Sequence, residues 1–350
     1  SGERTAMTTS PPPPPILSDG AAPTSPGKAL KKRLLLAGKA MVSCLLLYWL
    51  LSSIDLREVP AVLGNASLGY LPLVPLPMFG RLYFYALRWD ILLRHYGMRL
   101  AFRQRYAYYV VGFFFNACLP GSLGGDAVRV LCASRALGRK YVSIATIAVL
   151  ERFFGLCAIL VVGSAGFLLG YEVLSGIIPR EVHRPLFGLC LLFVVALLFF
   201  KPLASLAADL VARTNRFERV QTFLKETSRL GRGELGLLLL LSALGQFTGM
   251  LSAIILLHAL HLAVPFMGYL VVFAVMSVIA LIPISLGGLG VREGLLTVLL
   301  AGFGISPGAA VSLALATYLN RIVVGAAGGV LYVFVKQDAA FGNKEVGSET

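Results

Sequence analysis

Leu119–Arg129 reads LPGSLGGDAVR, and Ile282–Arg292 reads IPISLGGLGVR. Seven of these eleven positions are identical without a gap, and the matches include proline, serine, valine and arginine as well as glycine. Such recurrence marks an internally duplicated chain. Each stretch interrupts an apolar run. Pro120 and Pro283 cannot continue the helices before them. Gly121, Gly124 and Gly125 in the first copy, with Gly287, Gly288 and Gly290 in the second, free the backbone to turn.

The surrounding composition sets the class. Of 350 residues, 57% are hydrophobic and only 14% charged, against about a quarter charged in a soluble domain. Mean hydropathy is +0.80. Apolar runs recur from Leu34 to Val335, several near the roughly 20 residues that a spanning helix needs. Backbone polar groups in lipid must be satisfied within the segment, which favours helices. The alternating ten-residue pattern of a membrane β-barrel is absent. An all-α polytopic membrane protein follows.

Net charge is +14. The basic residues lie between apolar segments, where they set topology and meet anionic headgroups, so nucleic acid is not an expected partner. Cys44, Cys118, Cys132, Cys157 and Cys190 form no CxxC pair and read as inert thiols. There is no HExxH, no DxD-like motif and no paired metal-ligand spacing, and GSLGGD lacks the Lys-Ser/Thr end of a phosphate-binding loop. His258 and His261 read as interfacial. No metal, cofactor or catalytic residue is expected.

Charge asymmetry gives the topology. Residues 1–29 form a Pro-rich disordered tail, of which 1–6 resemble a tag scar, and no cleavable signal peptide is evident. Lys28, Lys31, Lys32 and Arg33 place the N-terminus in the cytoplasm, before a span over Leu34–Ile54. A second span over Leu68–Leu93 returns to a basic loop. The segment 106–135 has basic flanks on both sides, so it dips in and returns as a re-entrant hairpin. Val142–Leu169 crosses outward and closes a first repeat, 30–170. The second repeat, 171–336, holds a span over Pro185–Phe200, a cytoplasmic amphipathic stretch 201–232 and a span over Glu234–His258. A second hairpin, 266–303, enters from outside, and a last span runs over Pro307–Val335. The tail 337–350 is cytoplasmic. Three spans and one hairpin per half, in opposite orientation, make an inverted repeat, which places a substrate site near the midplane.

The candidate site gathers around the hairpins. Backbone N–H groups at Ser122, Gly124 and Gly125, and at Ser285, Gly287 and Gly288, can face an anion where the next helix begins. Arg129 and Arg292 follow at identical spacing and supply full charge. Asp126 either pairs with Arg129 or caps its helix, and Glu293 follows Arg292. Glu151-Arg152 and Asn320-Arg321 occupy comparable places in later spans, where a charge costs about 2.5–3.5 kcal/mol and normally has a partner. These groups either flank an anionic headgroup or tie helices together as ion pairs. Asn116 either bonds a headgroup or satisfies the broken turn. Arg81 and Asp90 are further charges in the second span, and Arg88 is expected to snorkel to the inner interface.

The run Asn116-x-x-Leu-Pro-Gly-Ser-x-Gly-Gly-Asp126-x-x-Arg129, then Glu151-Arg152 and Gly155, then Pro283-x-Ser-x-Gly-Gly-x-Gly-x-Arg292-Glu293-Gly294 resembles the flippase-like membrane module of lysylphosphatidylglycerol synthases. The resemblance covers Leu34–Val335. It implies a bacterial inner-membrane protein that moves an anionic, aminoacylated or glycan-linked lipid between leaflets, with hairpin residues lining the headgroup cavity. The partners it implies are a phospholipid or polyprenyl-linked lipid and a lipid-modifying enzyme. The large soluble aminoacyl-transferring domain of the full synthases is not seen, so lipid synthesis is not expected. Two other readings remain: a membrane transferase acting on a lipid-linked sugar through Asp126 or Glu293, and a scaffold that recruits a lipid-modifying enzyme through 201–232.

Overall fold

The computed structural model describes residues 58–118, 124–172, 230–279 and 290–341, with isolated positions at 41, 48 and within 184–192. Apart from those isolated positions, the expected spans 34–54 and 185–200 lie outside the described residues, as do nearly all of the amphipathic stretch 201–232 and the segments 119–123 and 280–289. Ser122, Ser285, Gly287 and Gly288 fall in the last two segments.

The described residues fold entirely into helices and their connections. They are α1 (Glu58–Gly64), a 3-10 turn (Leu68–Leu73), α2 (Pro75–His95), α3 (Phe102–Cys118), α4 (Gly124–Leu137), α5 (Tyr141–Leu169), α6 (Arg232–Ala259), α7 (Phe266–Ile279), α8 (Val291–Ala301) and α9 (Pro307–Phe341). Three helices, α5, α6 and the part of α9 to Val333, are long and apolar enough to cross a bilayer. Glu58–Gly64 together with Leu68–His95, bent by 80° at the break, makes a fourth candidate. The chain is thus a multi-pass membrane protein. Val142, Val149, Leu240, Leu319, Val323 and Val330 point outward from these helices, as side chains that face lipid do.

The helices around the two breaks are shorter. α3, α4, α7 and α8 have 17, 14, 14 and 11 residues. At 1.5 Å per residue, each falls short of a hydrocarbon core of about 30 Å. α3 and α4 run antiparallel. A Cβ on Gly125 would overlap the Gly112 carbonyl and the Asn116 amide, and one on Gly112 would lie 3.7 Å from the Arg129 Cβ. Gly268, near the start of α7, likewise faces the Phe303 ring just beyond α8.

Two apolar cores hold the molecule. One, around Trp89, draws on α2, α3, α4, α5 and the start of α6. The other, around Met250 and Leu300, draws on α6, α7, α8 and α9. Between them α2 packs along α6 more extensively than any other described pair. Gly245 and Gly249 of α6 make that approach possible: a Cβ at Gly245 would lie 2.8 Å from the Tyr85 Cδ1, and one at Gly249 2.8 Å from the Arg81 Cδ. Small residues four apart are the usual means of close helix approach in lipid. The next most extensive contacts cross between cores, α3 against α9 and α7 against α5.

Candidate functional site

Glu151, on α5, is the hub of the first core. It is 1% exposed in its side chain and faces two arginines. Arg129 Nη1 of α4 lies 2.6 Å from its Oε2, and Arg88 Nη2 of α2 lies 3.6 Å from Oε1. The Tyr109 hydroxyl of α3 donates a hydrogen bond to the same Oε1. The Arg129–Glu151 contact is close but poorly aligned for a hydrogen bond, so its strength is chiefly coulombic. The Arg129 guanidinium also sits 4.6 Å from the Trp89 ring centroid and 4.2 Å from that of Tyr109, a cation–π sandwich that offsets part of its lost hydration. Arg88 Nη1 donates to the Ser242 hydroxyl at 3.0 Å, and its guanidinium lies 4.5 Å from the Tyr85 ring centroid. Four helices therefore converge on one carboxylate, with α6 joined through Ser242.

Nearer the first break, Asp126 accepts from Arg152 Nε at 2.6 Å and lies 2.6 Å from its Nη2. Arg129 Nη2 approaches the other Asp126 oxygen at 3.5 Å. Asn116 Oδ1 accepts the Gly125 N–H at 2.8 Å, satisfying a donor that the start of α4 leaves without an intrahelical partner. In the second copy Gly290 has φ +81, a left-handed conformation that suits glycine. Its N–H donates to Glu293 Oε2 at 2.7 Å.

A second group of charges is assembled differently. Arg81 of α2, Arg292 of α8 and Arg321 of α9 lie within one another's electrostatic field, with Glu293 as the neighbouring carboxylate. Arg81 is held by neutral acceptors: Nε donates to the Tyr85 hydroxyl at 2.9 Å and Nη2 to Gln246 Oε1 at 3.1 Å. Among the described residues, none of the three forms an ion pair. Asn320, 6% exposed, leaves its side-chain oxygen without a hydrogen-bond partner. Charged side chains within apolar helices mark this group as a candidate site.

The family model for the lysylphosphatidylglycerol synthase TM region matches residues 36–329 of this chain. The chain belongs to that family. Comparison with curated proteins gives no match. The matched span of this lysylphosphatidylglycerol synthase family member includes both breaks and every candidate site residue.

The geometry sorts those candidates. Asp126, Arg129, Glu151 and Arg152 come together in the first core, where they pair with one another across α4 and α5. Arg129, 3% exposed, is paired with Glu151 and Asp126. Asn116 and Gly125 clasp the first turn, and Gly124 begins α4. Arg292, Glu293 and Arg321 belong to the second group, and Asn320, which precedes Arg321 in sequence, is buried. Arg88 does not snorkel: it is 5% exposed and turned inward toward Glu151. Sequence reasoning missed Tyr109, Ser242 and Gln246 as partners of these charges. A polar residue within an apolar span was the available signal for Ser242 and Gln246, but Tyr109 lies in an aromatic run with nothing to set it apart.

Proposed function

We propose that this chain moves a lipid with an anionic or modified headgroup between leaflets, as a flippase or scramblase-like transporter without chemistry of its own. The observation that carries this reading is the set Arg81, Arg292 and Arg321, three cations on apolar helices that form no ion pair among the described residues. Bare transfer of a charged headgroup through hydrocarbon carries a large desolvation penalty. A polar cavity lined by fixed cations lowers it, while the acyl or prenyl chains stay in lipid.

The packing of the helices fits an inverted repeat, which would support the same reading. If α2, α3, α4 and α5 correspond to α6, α7, α8 and α9, then α2–α6 is the self-paired contact and α3–α9 is the counterpart of α5–α7. These are the three most extensive packings. Two short helical hairpins would then enter from opposite faces, in repeats 30–170 and 171–336, with both termini in the cytoplasm of a bacterial inner membrane. The first hairpin is closed over its own ion pairs, and the second keeps its arginines for cargo.

Reconstitution into vesicles with fluorescently tagged phospholipids tests the proposal. Inner-leaflet label should become reducible by external dithionite, and Arg292→Ala or Arg321→Ala should slow this by about tenfold or more, the equivalent of about 1.4 kcal/mol. Exchange that the variants leave untouched would refute it. Turnover seen only with a donor sugar would assign a transferase, and neither activity would favour a scaffold.

A further inference from the structure

α4 and α5 are joined by a tight turn. The Arg139 N–H donates to the Ser134 carbonyl at 3.1 Å, and the Gly138 N–H donates to the Arg135 carbonyl at 3.3 Å. The Ser134 hydroxyl donates to the Arg139 carbonyl at 2.5 Å. Gly138 takes φ +59, the left-handed residue that closes a helix with this pair of bonds. The turn therefore holds Arg135, Arg139 and Lys140 close together, and all three are exposed. Among the described residues, none of them meets a carboxylate.

The surface beside these cations is apolar. Leu131, one turn before Arg135, is 41% exposed, and Tyr141 and Val142, just after Lys140, are 44% and 74% exposed. α5 has 29 residues, or about 43 Å at 1.5 Å per residue. That length matches a bilayer together with its headgroup layers, about 40–45 Å. The start of α5 thus stands among headgroups, the level at which tyrosine is enriched. A fourth cation reaches the same level. Gly112 of α3 faces Gly125 and Arg129 of the antiparallel α4. Nine residues toward the start of α3, and nine toward the end of α4, bring the exposed Arg103 level with the turn.

We propose that this elbow binds an anionic phospholipid of the adjoining leaflet, with its phosphate on Arg135, Arg139 and Lys140 and its acyl chains along Leu131, Tyr141 and Val142. The site lies on the periphery of the first core and is independent of the transport reading. Each cation at an anionic lipid surface strengthens attachment by about fivefold, and the bonded turn gathers three of them before the lipid arrives. A soluble anion would use the cations but leave the apolar flank idle. An acidic protein would meet the headgroup layer first.

Native mass spectrometry of the full detergent-solubilised chain tests this, with phosphatidylglycerol and phosphatidylcholine offered in equal amounts. Phosphatidylglycerol should be retained preferentially. Arg139→Gln should lower the preference by about fivefold, and Arg135→Gln, Arg139→Gln and Lys140→Gln together by at least about tenfold. Arg232→Gln removes an exposed cation at the start of α6, where Glu234 meets His95 at the same end of the molecule. It should change the preference by no more than about twofold, because the site is local and not a general attraction to positive charge. Tyr141→Ala with Val142→Ser keeps every cation and should still weaken retention, which provides the test should the triple variant fold poorly. Excess glycerol phosphate or polyglutamate should not displace the lipid. Equal retention of the two lipids, a preference that the triple variant keeps, or an equal effect of Arg232→Gln and Arg139→Gln would overturn the proposal. Insensitivity to the Tyr141 and Val142 changes with displacement by glycerol phosphate would assign a soluble anion instead, and displacement by polyglutamate an acidic protein.

Discussion

Glu151→Gln removes the one carboxylate shared by Arg88 and Arg129 while keeping its shape. At an effective dielectric of about 20, unit charges at the observed 2.6 Å and 3.6 Å attract by roughly 6 and 5 kcal/mol. Much of that is offset in the intact protein by the dehydration of all three groups, and the neutral amide relieves the carboxylate's share. What remains is Arg88 without a counter-charge and Arg129 with only the weaker 3.5 Å contact to Asp126, and removing one partner of a buried pair costs about 3–5 kcal/mol. Thermal unfolding in detergent, followed by circular dichroism, should therefore fall by on the order of 5–15 °C. Adding Arg129→Gln to Glu151→Gln should cost at least about 1 kcal/mol less than the two single changes would by addition, because they share one interaction. A single variant within about 1 kcal/mol of the parent, or strict additivity, would refute the claim that this carboxylate ties the first core together.

Other changes separate structure from cargo handling. Gly125→Ala should destabilise the first hairpin by about 1–3 kcal/mol, read as a lower melting temperature, since its Cβ overlaps Gly112 and Asn116. Asn116→Leu removes the acceptor of the Gly125 N–H and should cost about 1–3 kcal/mol in the same measurement. Asp126→Asn should cost less than about 1 kcal/mol, because Arg152 and Asp126 are partly open to solvent. Gly328→Leu should push α9 from α3, where a Cβ already collides with the Val110 carbonyl, and should lower the yield of folded protein from membranes.

The features legible in the sequence were those written locally. Pro120 with its glycines and Pro283 with its own marked the two breaks, and the helices flanking them end and begin close to those points. Apolar length marked α5, α6 and α9 to within a few residues. The pairing of charges was not legible, because it joins residues distant in the chain. Arg88 reaches Glu151 only because α2 lies beside α5, and Arg81 reaches Gln246 only because Gly245 and Gly249 let α2 approach α6. A guanidinium in a span reads the same in sequence whether it snorkels, pairs or waits for a ligand. The helix next to it decides, and the partner there lies 63 residues away for Arg88 at Glu151 and 165 for Arg81 at Gln246.

Transport of an anionic headgroup turns on what lies beside Arg292 and Arg321. An electron cryo-microscopy map of the full chain in nanodiscs containing anionic phospholipid examines that point directly. Headgroup density should contact at least one of these guanidinium groups, with acyl chains leaving between helices into the bilayer. The same arginines closed against protein carboxylates, with lipid density confined to the outer surface, would contradict the transport reading.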